Sequence, residues 1–121
     1  MIGVEIQATP PGKKLKSINL LSGGERAMTS IALISAIMHT NPSPFVVLDE
    51  VDAALDEANT NRFTDIVREL APQTQFVIIT HNRATMHVAD ALYGVTMKSD
   101  GISQLISVKY DDVAKGGTAR R

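Results

Sequence analysis

Cysteine is absent from the 121 residues, which excludes disulfides and thiolate metal sites and leads us to expect a reducing compartment. Charge of one sign is also missing. Lys and Arg number 12 against 13 Asp and Glu, a net charge of -1, so no bulk field draws the chain to nucleic acid and any such contact must be local. No apolar run approaches the roughly 20 residues of a membrane-spanning helix. Met1-Ile2-Gly3-Val4-Glu5 does not read as a signal peptide, so a soluble cytoplasmic chain is expected. Coiled-coil heptads are lacking. So is a phosphate loop of the form Gly, four residues, Gly-Lys and a hydroxyl. The one Gly-Lys pair, Gly12-Lys13, has Gln7 where the first glycine would stand and Lys14 in place of the hydroxyl. What remains is 44% hydrophobic and 21% charged, the composition and length of one globular domain.

The stretch Leu21-Ser22-Gly23-Gly24-Glu25 stands just ahead of a helix-periodic run, Arg26 to His39. Ser22 and Glu25 have capping-box spacing: the hydroxyl accepts from a backbone N–H and the carboxylate reaches back. The two glycines leave the first amides of the helix uncovered, and a helix N-terminus with free amides and a positive dipole end attracts anions. A hydroxyl can cap the helix and still donate to a phosphate oxygen. An ordinary capped helix is the plainer reading of this stretch taken alone.

Apolar and polar residues alternate from Gly3 to Ala8, predicting a half-buried strand that Thr9-Pro10-Pro11-Gly12 breaks. Lys13, Lys14 and Lys16 form a short basic loop, read as solvated, with contact to a DNA backbone as the sharper alternative. A helix from Gly24 to Thr40 should bury Met28, Ile31, Ala32, Ile34, Ser35 and Met38, with His39 suited to its C-terminal dipole. Phe45-Val46-Val47-Leu48 and Gln75 to Thr80 read as strands buried on both faces of a parallel sheet. Between them Asp56 and Glu57 open a helix that reaches Leu70, with Phe63, Ile66, Val67 and Leu70 inward, and Pro72 stops it. A short helix at 83–89 carries His87 on its surface. A hairpin follows, 92–98 and 102–109, turned by Asp100-Gly101. Beyond Tyr110, residues 111–121 should form a flexible tail.

Alternation of strand and helix places Asp49-Glu50 and His81 at one sheet edge, where open α/β sheets bind ligands. Paired acids after a buried strand suit nucleotide hydrolysis. One carboxylate holds Mg²⁺ through water, and its neighbour orients or deprotonates the attacking water. A neutral imidazole at position 81 could donate to a transferring phosphoryl group.

Taken together, Leu-Ser-Gly-Gly-Glu, the apolar strand into Asp49-Glu50, Ala54-Leu55-Asp56 and His81 resemble the C-terminal half of an ABC-type ATPase head. Ser22-Gly23-Gly24 matches the signature motif, 46–50 the Walker B strand, Ala54-Leu55-Asp56 the D-loop and His81 the switch histidine. The wording Leu48-Asp49-Glu50-Val51-Asp52-Ala53-Ala54-Leu55-Asp56 is similar to the structural-maintenance-of-chromosomes (SMC) family, and Tyr93-Gly94-Val95-Thr96-Met97 to its bacterial branch. That resemblance implies an α/β fold: a C-terminal lobe, residues 1–110, with a mainly parallel sheet flanked by helices and a C-terminal β-hairpin. It implies ATP and Mg²⁺ as cofactors, with Asp49 serving the metal, Glu50 as catalytic base and His81 at the γ-phosphate. Ser22, Gly23, Gly24 and Glu25 would contact nucleotide held by an opposing head, with Asp56 in the D-loop between them. The implied partners are the N-terminal lobe that bears the phosphate loop, a second SMC head, a kleisin subunit's winged-helix domain and DNA through the assembled complex. No membrane partner is implied, and the setting is the nucleoid-associated cytoplasm. Half a head is expected not to turn over ATP alone. Two other readings stand beside this one: a coiled-coil DNA-repair ATPase head, and a non-catalytic interaction module derived from the same lobe.

Overall fold

The computed structural model describes residues 3–109; the expected tail at 111–121 lies outside them. The chain divides into two compact units, one reaching to Thr85 and the other beginning at Met86.

The first unit starts with two short strands, β1 (Gln7–Ala8) and β2 (Lys16–Ser17), paired antiparallel. The strand expected over Gly3 to Ala8 is therefore confined to its end. Val4 is 95% exposed, and Pro10 and Pro11 have no N–H with which to extend the ladder. The connection turns at Pro11-Gly12: Lys13 N donates to Pro10 O at 3.0 Å, and Gly12 takes φ 74°, the positive φ that a type II turn requires. Lys16 thus belongs to a strand and not to the basic loop.

Helix α1 (Gly23–Thr40) is capped by Ser22. Its inward face is narrower than the periodicity predicts. Ile31 and Met38 are buried and Met28 and Ser35 partly so, but Ala32 and Ile34 are exposed. β3 (Phe45–Asp49) and β4 (Gln75–Ile79) pair in parallel from Phe45 with Gln75 to Asp49 with Ile79, joined by α2 (Glu57–Leu70). Asp56 caps α2, its carboxylate accepting from Asn59 N at 2.8 Å. Ile31 of α1 and Phe63 and Val67 of α2 form one core with Leu48, against which Val46, Phe76 and Ile78 pack. Burying a side chain such as Phe63 contributes about 2–3 kcal/mol.

These contacts all use one face of the β3–β4 pair. On the other face Phe45, Val47, Val77 and Ile79 remain 47–61% exposed. Among the described residues, strands read as buried on both sides are covered on one side only. Of the expected mainly parallel sheet, the described residues hold a single parallel pair; the remaining strand pairs are antiparallel. The last helix is also shorter than expected. α3 spans Arg83–Met86, and Ala89 N donates to Met86 O across an i→i+3 turn, so the helical ladder is not continued.

The second unit holds a hairpin, β5 (Ala91–Met97) with β6 (Ser103–Lys109), in continuous antiparallel register. Gly101 turns it at φ 80°, and Asp100 Oδ1 accepts from Ile102 N at 3.1 Å.

Candidate functional site

Two clusters collect the residues singled out by the sequence. The first is the start of α1. Ser22 Oγ accepts from Glu25 N at 3.3 Å while Glu25 Oε2 accepts from Ser22 N at 3.1 Å, so both halves of the capping box are formed. Lys13 Nζ donates to Glu25 Oε1, which assigns one member of the basic loop to an intramolecular ion pair. The Lys13 ammonium, followed by the Ser22 amide, holds the Glu25 carboxyl below its ordinary value. Gly24 has a packing role besides. A Cβ placed there would stand 3.1 Å from Ala54 O, so the bare backbone lets the 50–55 turn close against the helix. At Gly23 a Cβ would meet only Ala54 Cβ at 4.0 Å.

The second cluster lies where β3 and β4 end. Asp49 closes β3 opposite Ile79. Glu50 then leaves the strand at φ 49°, a left-handed conformation that a residue with a side chain seldom takes, while its amide donates to Ile79 O at 2.9 Å. That bend brings Glu50 Oε1 to 3.0 Å from His81 Nε2, with the imidazole otherwise open to solvent. Ala53 N to Glu50 O (3.2 Å) and Leu55 N to Asp52 O (3.1 Å) complete the turn that delivers Asp56 to its capping position. Glu50, Asp52, Ala53, Leu55, His81 and Asn82 line one shallow cleft. A second, apolar cavity lies within the core among Ile31, Met38, Leu48 and Phe63, away from these charges.

The structure therefore brings Glu50 and His81 together, and joins Gly24 to the Ala54-Leu55-Asp56 turn. Among the described residues, no hydrogen bond or ion pair links Ser22 or Glu25 to Asp49, Glu50 or His81. His87 is exposed as expected, but it lies just past the end of α3 and not on the helix. No group of three or more His, Cys, Asp or Glu side chains is placed to hold a metal among the described residues. One exposed aspartate still suits Mg²⁺, which is commonly held by one or two carboxylates with water and substrate phosphates completing its shell. Asp52 was missed by the sequence reading. It is 3% exposed and ties the two strand ends together, and its only signal in the sequence was a third acid two residues after Glu50.

The sequence profile described as the RecF/RecN/SMC N terminal domain matches residues 9–104. The chromosome partition protein Smc of Myxococcus xanthus is 59% identical over 107 residues, 88% of this chain and 9% of that protein. The Bacillus subtilis protein of the same name is 58% identical over 110 residues, 91% of this chain and 9% of its own. The chain thus spans about a tenth of the length of these relatives. Among solved structures, a Smc head from Pyrococcus furiosus with an extended coiled coil, bound to the C-terminal domain of ScpA, superposes with a TM-score of 0.85 at 42% identity, covering 93% of this chain and 28% of that one. A Smc head bound to the C-winged-helix domain of ScpA gives 0.84 at 41%, covering 92% and 34%. No helix among the described residues is long and apolar enough to cross a membrane. On profile, identity and superposition alike, the chain belongs to the SMC family and carries the fold of part of an SMC ATPase head.

Proposed function

We propose that this chain is the C-terminal lobe of a bacterial SMC head, one part of an ATP hydrolase that dimerises around nucleotide to drive chromosome condensation and segregation. The observation that carries this reading is the contact between Glu50 and His81 at the ends of adjacent parallel strands, with Asp49 one residue before. Glu50 acts as general base toward the attacking water, and its left-handed backbone turns the carboxylate toward the imidazole. His81 donates to the γ-phosphate. Asp49 holds Mg²⁺, which when bound neutralises phosphate charge. Ser22, Gly23, Gly24 and Glu25 present the capped N-terminus of α1 to nucleotide on a second head, and Asp56 lies in the loop between the heads.

The exposed face of β3 and β4 receives the N-terminal lobe that supplies the phosphate loop. The Smc heads bound to ScpA domains support a kleisin partner with a winged-helix domain. DNA is engaged through the assembled complex, in the nucleoid-associated cytoplasm. The test is ATP turnover by this chain alone, by a phosphate-loop lobe alone and by the two together. Turnover is expected only for the mixture, and Glu50→Gln should abolish it while leaving ATP bound. Steady turnover by the chain alone, or a mixture indifferent to Glu50→Gln, refutes the proposal; an inert mixture leaves the non-catalytic interaction module.

A further inference from the structure

Asp52 is a carboxylate buried where no Lys or Arg forms an ion pair with it among the described residues. Burying such a group is costly unless its lone pairs are engaged. One oxygen, Oδ2, accepts both from Thr80 Oγ1 at 2.6 Å and from Thr85 Oγ1. Thr80 Oγ1 accepts in turn from Asn82 N at 2.9 Å. The Asn82 side chain is held at both ends, Oδ1 accepting from Ala84 N at 2.9 Å and Nδ2 donating to Thr60 Oγ1 at 3.4 Å. The residues on either side of His81 are therefore fixed, whereas the imidazole itself is 90% exposed with Glu50 beside it. Asp52 lies two residues past Glu50, in the turn closed by Ala53 N to Glu50 O. A single buried oxygen thus links the segment that carries the base to the segment that carries the imidazole.

We propose that Asp52 is a positioning residue, whose buried carboxylate clamps Thr80 and Thr85 and so holds His81 within hydrogen-bonding distance of Glu50. The role follows from connectivity. The His81 side chain is almost fully exposed and that of Glu50 about half, so packing does not hold the imidazole in place; the backbone on either side must set their separation. The hydrogen bond from the Glu50 amide to Ile79 O fixes the strand ends. The Asp52 clamp fixes what comes after, where a strand end would otherwise open into a free loop. A leucine of similar size would fill the space and leave the buried Thr85 hydroxyl and the half-buried Thr80 hydroxyl without this acceptor. An asparagine would keep the acceptor, because one amide oxygen has two lone pairs for the two hydroxyls.

The catalytic consequence rests on the ATPase reading above; the geometric claim does not, and two measurements separate them. In the 121-residue chain, imidazole ¹⁵N NMR reads the coupling directly. Glu50→Gln should move the His81 Nε2 resonance, and in an Asp52→Leu background the same change should move it by less than a third as much. Asp52→Asn should retain most of the response. A full response in folded Asp52→Leu overturns the proposal. If that variant does not fold, Thr85→Val, which removes one hydroxyl with little change of shape, should reduce the response by about half; an undiminished response overturns the proposal equally. In the head assembled with its phosphate-loop lobe, Asp52→Leu or Thr85→Val should lower kcat, by roughly 10²-fold for the leucine. KM for ATP should stay within about twofold and Asp52→Asn should restore turnover, as positioning without a substrate contact requires. Loss of turnover in Glu50→Gln with kcat retained in Asp52→Leu refutes the clamp. Turnover retained in Glu50→Gln refutes the ATPase reading and leaves the NMR result to decide the clamp.

Discussion

Alanine at Gly24 should leave the chain less stable than alanine at Gly23, although both glycines occupy the first turn of the same helix. Neither has a positive φ, so the backbone accepts a side chain at either position. At Gly23 the new methyl makes ordinary contact with Ala54 Cβ at 4.0 Å. Reduced freedom of the unfolded chain then stabilises the variant by about 0.4–1 kcal/mol. At Gly24 the same gain is opposed by a methyl placed 3.1 Å from Ala54 O. That oxygen is backbone, lying between the Leu55 N to Asp52 O bond and the capping residue Asp56, so it yields only if the whole turn shifts. Overpacking of this kind costs about 1–3 kcal/mol, leaving Gly24→Ala neutral to about 2.6 kcal/mol destabilised. The two variants should therefore differ by about 1–3 kcal/mol. With a slope of about 2 kcal/mol/M, their urea midpoints would lie about 0.5–1.5 M apart. Urea unfolding of both variants beside the parent chain is the assay. Midpoints that coincide, or a more stable Gly24→Ala, would refute the close approach of the 50–55 turn to α1.

Lys13→Ala should raise the Glu25 carboxyl toward its ordinary value, read from its side-chain ¹³C titration. Because the folded carboxyl is held low, its contribution to stability is present above about pH 4.5 and is lost as pH falls through the folded value. His39 runs the other way: the Ser35 carbonyl, then Glu69, raises its pKa. Its contribution is present below the unfolded value of 6.5 and is lost as pH rises through the folded one, so His39→Gln should flatten the pH dependence of unfolding in that window. Val47→Lys with Val77→Glu, cross-strand neighbours on the uncovered face, should reduce self-association in light scattering and shift unfolding by less than about 0.5 kcal/mol. In assembled heads the same pair should abolish assembly with the other lobe. Ser22→Arg, in a Glu50→Gln background, should leave each head binding ATP as a monomer and remove the ATP-dependent dimer; dimers that persist would refute the role given to Ser22.

Local chemistry was the most legible. The capping box of Ser22 and Glu25, the Asp56 cap of α2 and the glycine turn of the hairpin are written within a few residues, and each formed where its spacing placed it. What depends on distant partners was harder to read. Four apolar residues at Phe45–Leu48 signal a strand, but a run without alternation looks the same whether one chain covers both faces or only one. Gly3 to Ala8 alternates correctly yet has only two residues opposite it to pair with. Helix α3 ends at Met86, and the bond from the Thr85 hydroxyl to Asp52, between residues 33 apart, leaves no local mark in the sequence. Glu50 and His81 could be placed at one sheet edge from the strand order, but their 3.0 Å approach could not, since it needs the left-handed bend at Glu50.

That bend has a consequence for how the protein tolerates change. A left-handed residue with a β-carbon carries about 1–2 kcal/mol of strain that glycine would relieve, and asparagine would relieve in part. Selection for thermal stability alone should therefore favour Glu50→Gly or Glu50→Asn, and either change removes the carboxylate beside His81. Under the role proposed for Glu50, stability screens of this chain should repeatedly return variants at position 50 that melt later and cannot support turnover in an assembled head, and a library meant to preserve that role must hold the position fixed.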